Sequence, residues 1–299
     1  MPNVVTVGTF DGIHRGHWEV LEAVRERARA TDRRGVLVTF HPHPLRMVRP
    51  DLAPPLLTTP VEKKEILAES GLNYAVFLSF TSALARYSPE RFVDEVLVER
   101  IGVDELVIGY DHGFGRGRSG DADTLRDLGR RRGFRVDVVP PVMSGGSAIS
   151  SSSIRRALGE GKVEEACEAL GRPYSFRAVV VRGDGRGRSL GFPTANLEVL
   201  GEGKLIPPPG IYAVRGLVEG RSLPGALHIG PRPTFRGSPP ATELHLIDFQ
   251  GELYGQEVRV DFHHRLRAVL PFESVDALIR QMRLDVEEAV RLLGVEEEE

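Results

Sequence analysis

Two histidines three residues apart, His14 and His17, stand in the run Gly8-Thr9-Phe10-Asp11-Gly12-Ile13-His14-Arg15-Gly16-His17. At that spacing both rings face one way across a first helical turn. Paired imidazoles beside a polyphosphate stabilise the charge that builds during group transfer, and glycines let backbone amides approach phosphate. The same residues also read as a Gly-rich turn with two surface histidines; a zinc site would need a third ligand cluster, which the sequence lacks. A second constellation lies at Gly183-Asp184-Gly185-Arg186-Gly187-Arg188-Ser189-Leu190-Gly191-Phe192-Pro193-Thr194-Ala195-Asn196-Leu197. Its Gly-rich, Arg-bearing half can wrap a polyphosphate, while Thr194 and Asn196 offer two neutral oxygens suited to magnesium. In Ile149–Arg155, Ser151 and Ser152 can cap a helix with Arg155 one turn in. Glu243 reads alone as a strand carboxylate.

These residues need elements to hold them. Val4-Val5-Thr6-Val7 has the apolar run of a short strand, and the pattern from His17 to Ala30 sets Val20, Leu21, Val24 and Ala28 on one helical face. The His pair thus falls at a strand-to-helix junction, where open α/β sheets bind ligands. Strands at 35–40, 74–78, 105–108 and 134–139 alternate with helical patterns at 61–70 and 89–101, which predicts βαβ units and a parallel sheet. A helix from Ser152 to Leu170 follows. Beyond residue 172 Gly and Pro become frequent, and runs at 177–181, 210–218, 226–229, 243–249 and 257–262 predict antiparallel strands. An amphipathic helix, Val275 to Leu293, closes the pattern, with Leu278, Met282, Val286, Ala289 and Val290 roughly on one face. Two domains of different class are expected, 1–171 and 172–299.

Composition excludes several classes. The 299 residues carry 39 Lys+Arg against 42 Asp+Glu, a net charge of −3 that argues against a general nucleic-acid binder. Cys167, the single cysteine, excludes an internal disulfide and a Cys-rich zinc module, and its helical pattern marks it as a core residue. No apolar run approaches the ~18 residues of a membrane span, and Met1-Pro2-Asn3 leads into a strand pattern rather than a signal peptide. The expected address is cytoplasmic, with no nucleic-acid or membrane partner. Lys63, Lys64, Lys162 and Lys204 are the only lysines, a bias given no functional weight. Gly159-Glu160-Gly161-Lys162 and Gly201-Glu202-Gly203-Lys204 fail as P-loops, since Val163 and Leu205 stand where Ser or Thr is required.

The Gly8–His17 run resembles the signature of the HxGH nucleotidyltransferase superfamily in its FMN adenylyltransferase branch. The likeness continues at Thr39-Phe40-His41-Pro42-His43-Pro44, at Gly109 through Asp121, and at Ile149-Ser150-Ser151-Ser152-Ser153-Ile154-Arg155. The Gly183–Leu197 run is similar to the GxGRGxxLGxPTAN motif of riboflavin kinases, and the similarity extends through Gly210–Ala213, Gly230–Phe235 and Glu243–Phe249. In this order the motifs resemble the prokaryotic bifunctional riboflavin kinase/FMN adenylyltransferase family. The resemblance implies an α/β nucleotide-binding domain followed by a small antiparallel β-barrel with a C-terminal helix. It implies phosphorylation of riboflavin to FMN and adenylylation of FMN to FAD, with ATP as co-substrate, Mg²⁺ as cofactor, and riboflavin, FMN and ATP as partners.

It also implies residue roles. His14 and His17 would serve adenylylation, and Glu243 would be the base of the kinase step. Gly8, Phe10, Asp11, Gly12, Gly16, Ser151, Ser152 and Arg155 would meet ATP in the first domain, and Gly185, Arg186, Gly187 and Arg188 in the second. Asp111, Phe114, Arg118, Asp121 and Arg267 would meet flavin, and Thr194 and Asn196 the metal. The sequence departs from the pattern at His112-Gly113, where the family has an aromatic and an Arg, and at Ser153 and His228. Ala268 to Pro271 also lack the family's Glu and Lys. Another HxGH transferase and a non-enzymatic flavin-sensing protein are the competing readings.

Overall fold

The computed structural model describes residues 2–183, 185–232 and 240–294, without the side chains of Arg118, Arg186 and Ser189. Strands β1 (Asn3–Val7), β2 (Arg34–His41), β3 (Tyr74–Ser79), β4 (Val103–Gly109) and β5 (Arg135–Val139) form one parallel sheet in the order β3-β2-β1-β4-β5. Both faces are covered, which is why β1 reads as a continuous apolar run. Val4 packs with Leu21, Val24, Ala28 and Leu37 beneath the helix Arg15–Ala30. Val5 and Val7 face the opposite cluster, with Val93, Leu97, Leu106 and Leu125. The helical pattern at 89–101 is one turn of α-helix, Pro89–Phe92, continuing as a π-helix over Val93–Ile101 and ending at left-handed Gly102. A small hairpin, β6 (Met143–Ser144) with β7 (Ser147–Ala148), follows β5.

The expected single helix 152–170 is two helices, Ser151–Gly159 and Val163–Leu170. Gly161 breaks it with φ +77°, and a side chain there would come within 2.5 Å of the Arg265 guanidinium. By its contacts the chain divides into Met1–Ser151 and Ser152–Glu299. The expected split at 171/172 differs by this helix pair, because Val163, Ala166 and Leu170 are buried and Cys167 is tied to strand residues. Its Sγ donates to Phe262 O at 3.4 Å and accepts from Tyr174 N at 3.3 Å, and burial pushes the thiol pKa up.

Strands β8 (Tyr174–Val181), β9 (Ala195–Val199), β10 (Gly210–Val218), β11 (Arg221–Gly230), β12 (Ala241–Leu246) and β13 (Glu257–Arg267) close into an antiparallel barrel, β10-β11-β12-β9-β8-β13. Tyr174, Phe176, Ala178 and Val180 are its buried alternation on β8, and Tyr212 meets Phe262 edge-on at 5.3 Å. The run 243–249 stops as a strand at Leu246, since the chain turns at Asp248, φ +55°. The helix Val275–Leu293 is capped by Ser274, which accepts from Ala277 N, and packs Ala289 and Leu293 against Ala213 and Ile247.

Candidate active sites

In the first unit, β1 lies at the point where strand order reverses, the place where open α/β sheets leave a crevice at their carboxyl ends. The loop leaving β1 is built tightly. Phe10 and Ile13 adopt φ +45° and +41°, conformations that cost energy in residues other than glycine. Asp11, 1% exposed, holds them there. Its carboxylate accepts from Leu57 N, Thr58 N and Thr58 Oγ1, each at 3.0 Å, and Thr58 Oγ1 in turn accepts from Gly12 N at 3.1 Å. Ser151 Oγ donates to Asp11 O at 2.9 Å. Lys63, 8% exposed, donates to Thr9 O at 2.6 Å, beside the bond from Thr39 Oγ1 to the same oxygen. Burial pushes the Lys63 pKa down, and Asp11 pulls it back up.

His14 caps the helix Arg15–Ala30: its Nδ1 accepts from His17 N at 3.3 Å. In the neutral ring that acceptor role leaves the proton on Nε2. The two imidazoles stack at 3.7 Å and 17°, and Phe10 lies 4.6 Å from His17. Gly16 keeps the stack open, since a side chain there would sit 3.3 Å from the His14 ring. His14 and His17 thus come together as the spacing predicts. Phe10 and Asp11, expected at ATP, are engaged in building the loop. Ser152 and Arg155 follow on the helix Ser151–Gly159 in the second unit.

The loop after β4 differs more. Phe114, expected at flavin, is 9% exposed and belongs to the core cluster, with Phe92 at 6.0 Å. Its backbone is bridged to Gly120, where a side chain would strike the Phe114 ring at 2.3 Å. Asp121 caps the helix Ala122–Arg132 by accepting from Thr124 N and Thr124 Oγ1 at 2.9 Å, bonds that push its carboxyl pKa down. Asp111 is exposed, and the Arg118 side chain lies outside the described residues.

In the barrel, Glu243 pairs in register with His228 on β11 and Asn196 on β9. Directly opposed residues share a face, so all three point away from buried Leu227, Leu244 and Leu197. Arg232 joins them: Nε and Nη2 donate to the two Glu243 oxygens at 3.1 and 2.8 Å, and Nη2 also donates to Asn196 Oδ1 at 3.0 Å. His228 lies 3.7 Å from Glu243, and burial pushes its pKa down more strongly than that carboxylate raises it. Glycines clear space around both neutral oxygens. A side chain at Gly183 would come within 2.0 Å of the Asn196 amide, and one at Gly187 within 2.6 Å of Thr194 Oγ1. Gly185 is left-handed, Arg188 is exposed, and the Arg186 side chain is outside the described residues.

Of these groups Thr194, His228, Arg232 and Glu243 line a cavity of about 150 Å³, much of whose remaining wall is apolar: Leu190, Ile211, Val269, Leu270, Phe272, Leu278, Met282 and Val286. Arg267, expected at flavin, lines it too. Its guanidinium forks onto Asp285 at 2.8 and 2.6 Å, with Gln281 on the same carboxylate at 3.0 Å. Sequence reasoning missed Asp285, Thr58, Lys63 and the Arg232 bridge. The scarcity of lysine was the available signal for Lys63, because Lys63 and Lys204 are both buried.

The family model for FAD synthetase matches residues 1–153, and that for riboflavin kinase matches residues 170–293. The chain is 36% identical, over 98% of its length and 93% of the relative's, to the bifunctional riboflavin kinase/FMN adenylyltransferase of Escherichia coli strain K12. It is 35% identical to the protein of that name from Bacillus subtilis strain 168, covering 97% of this chain and 92% of the relative. Among solved structures, one described as a macrolide-efflux protein from Streptococcus pneumoniae aligns over 97% of this chain and 94% of its own, at 32% identity and a TM-score of 0.87. Among the described residues, no helix is long and apolar enough to cross a membrane.

Proposed function

Since this chain belongs to the bifunctional riboflavin kinase/FMN adenylyltransferase family, we propose that the Glu243–Thr194–Asn196 end of the barrel cavity phosphorylates riboflavin. We assign adenylylation to the His14–His17 loop. On this reading residues 1–171 serve the second reaction and 172–299 the first, in the cytoplasm. The competing sequence readings, another HxGH transferase or a flavin sensor, give way to two matched enzymatic families in one chain.

In the kinase step the flavin ring lies against the apolar wall, and the ribityl chain reaches the polar end. Glu243 accepts the proton of the terminal hydroxyl as its oxygen attacks the γ-phosphorus of ATP, and ADP leaves. Thr194 Oγ1 and Asn196 Oδ1, both neutral, suit a magnesium ion that takes its other ligands from phosphate and water. When bound it would neutralise phosphate charge. In the second step an FMN phosphate oxygen attacks the α-phosphorus of ATP and pyrophosphate leaves. A phosphate nucleophile needs no base, so positioning and donation from His14 Nε2 and His17 carry the catalysis.

The observation that supports the kinase assignment best is that Glu243 and Thr194 line one largely apolar cavity, with Asn196 paired to Glu243 in register and bridged to it by Arg232. Incubation with riboflavin and Mg-ATP, with chromatographic separation of riboflavin, FMN and FAD over time, tests the reading. FMN should rise first and FAD follow. Substitutions at Glu243 should stop the first product, and substitutions at His14 or His17 only the second.

A further inference from the structure

The bridge made by Arg232 is the feature that the reaction scheme does not use. One guanidinium holds both Glu243 oxygens and the Asn196 side-chain oxygen, with Arg232 13% and Glu243 20% exposed. Arg232 lines the barrel cavity with Glu243 and Thr194 and reaches Asn196, which puts a positive charge among the groups assigned to magnesium and to proton transfer. A metal ligated by Asn196 Oδ1 would compete with Arg232 for that oxygen, and two cations a few ångströms apart in a half-buried site repel.

We infer that Arg232 is an exchangeable counter-ion, a positioning residue that holds Glu243 and Asn196 in register and must release the Asn196 oxygen before a divalent cation can take it. The inference rests on the assignment of Asn196 as a metal ligand. A fork onto a carboxylate fixes that carboxylate's orientation as well as its charge, so the strands β9 and β12 present both oxygens already aligned. The cost of this alignment is weaker binding of bare metal. A metal arriving with nucleotide brings negative phosphate, to which a released guanidinium is attracted, so the exchange favours metal–nucleotide over metal alone.

A clamp with only a structural role predicts the opposite sign. Loss of such a clamp would loosen Glu243 and Asn196 and weaken metal binding. Loss of a competing cation strengthens it.

The test uses Mn²⁺ alone, with the free ion counted by electron paramagnetic resonance in titrations of the full chain. Arg232→Gln should bind Mn²⁺ about threefold to fivefold tighter than wild type, the scale of one partly exposed ion pair. Arg232→Lys, which keeps the charge but not the fork, should fall between them. Should Arg232→Gln fail to fold by circular dichroism, Arg232→Lys decides: tighter binding than wild type supports the counter-ion role, and equal or weaker binding overturns it. In folded Arg232→Gln, unchanged or weaker Mn²⁺ binding also overturns it. Adding Asn196→Ala to Arg232→Gln separates the two ideas. If it abolishes the gain, the metal-ligand assignment stands. If the gain survives without Asn196, that assignment is wrong and the inference falls with it.

Discussion

Glu243 is held in place by a fork from Arg232 and flanked in register by Asn196 and His228. Glu243→Gln keeps an oxygen for that fork and removes the base. FMN production should fall by about 10²–10⁴, the usual contribution of a positioned base, while added FMN still becomes FAD at the wild-type rate. Steady-state kinetics with each flavin checks both halves, and kinase turnover within about threefold of wild type would end the assignment. His14 and His17 divide differently. Alanine at either should lower FAD formation by about 10²–10³ and leave riboflavin phosphorylation intact. Only His14→Ala should also lower the melting temperature, because His14 is the N-cap of the helix Arg15–Ala30 and such a cap is worth about 1 kcal/mol. His14→Asn should restore the melting temperature without restoring FAD formation. At this scale the sequence was legible where spacing carries the chemistry, as in the stacked His14–His17 pair. It was silent on the structural duties that candidate site residues also carry. Asp11 staples a loop, Phe114 fills the core and Asp121 caps a helix.

Elements were readable where a single period runs between clear stops. The strand Gly210–Val218 and the helix Val275–Leu293 have the bounds that their patterns predict. The strand Ala195–Val199 went unread because Thr194 and Asn196 drew the segment into a motif, and five residues show little alternation. The pattern at 152–170 reads as one helix because glycine is tolerated inside a helical pattern; the steric demand of Arg265 at Gly161 comes from a strand a hundred residues away. The tie between β13 and the last helix is the Arg267–Asp285 fork, with Asp285 buried. Asp285→Ala strips a half-buried guanidinium of its counter-charge and leaves it the Ala268 carbonyl and the Phe272 ring, which should cost about 2–3 kcal/mol, toward the lower end for a broken buried pair because Arg267 is partly wet. Hydrogen exchange across Val275–Leu293 should quicken, and riboflavin affinity should drop with it, since Leu278, Met282 and Val286 wall the cavity. Unchanged exchange in that helix would mean that Ala289 and Leu293 alone anchor it.

For the whole molecule, composition and the change of pattern after residue 172 predict two units of different class, and the chain has a parallel sheet and a closed barrel. A fragment 172–299 should fold and phosphorylate riboflavin. A fragment 152–299 should melt higher by roughly 10 °C, because it keeps Val163, Ala166 and Leu170 buried, worth a few kcal/mol together. Circular dichroism decides, and an unfolded shorter fragment would move the unit's start into the helix pair. Closure of the barrel has a consequence for how the protein is made. Strand β13 pairs with both β8 and β10, so the ring stays open until residues 257–267 leave the ribosome, whereas the parallel sheet has all its strands by Val139. A domain completed early folds during synthesis. Chains that stop between Val218 and Glu257 therefore carry one finished sheet and one open one, with the unpaired margins of β8 and β10 ready to template other chains. Truncated synthesis is thus a route by which this protein becomes an aggregation hazard.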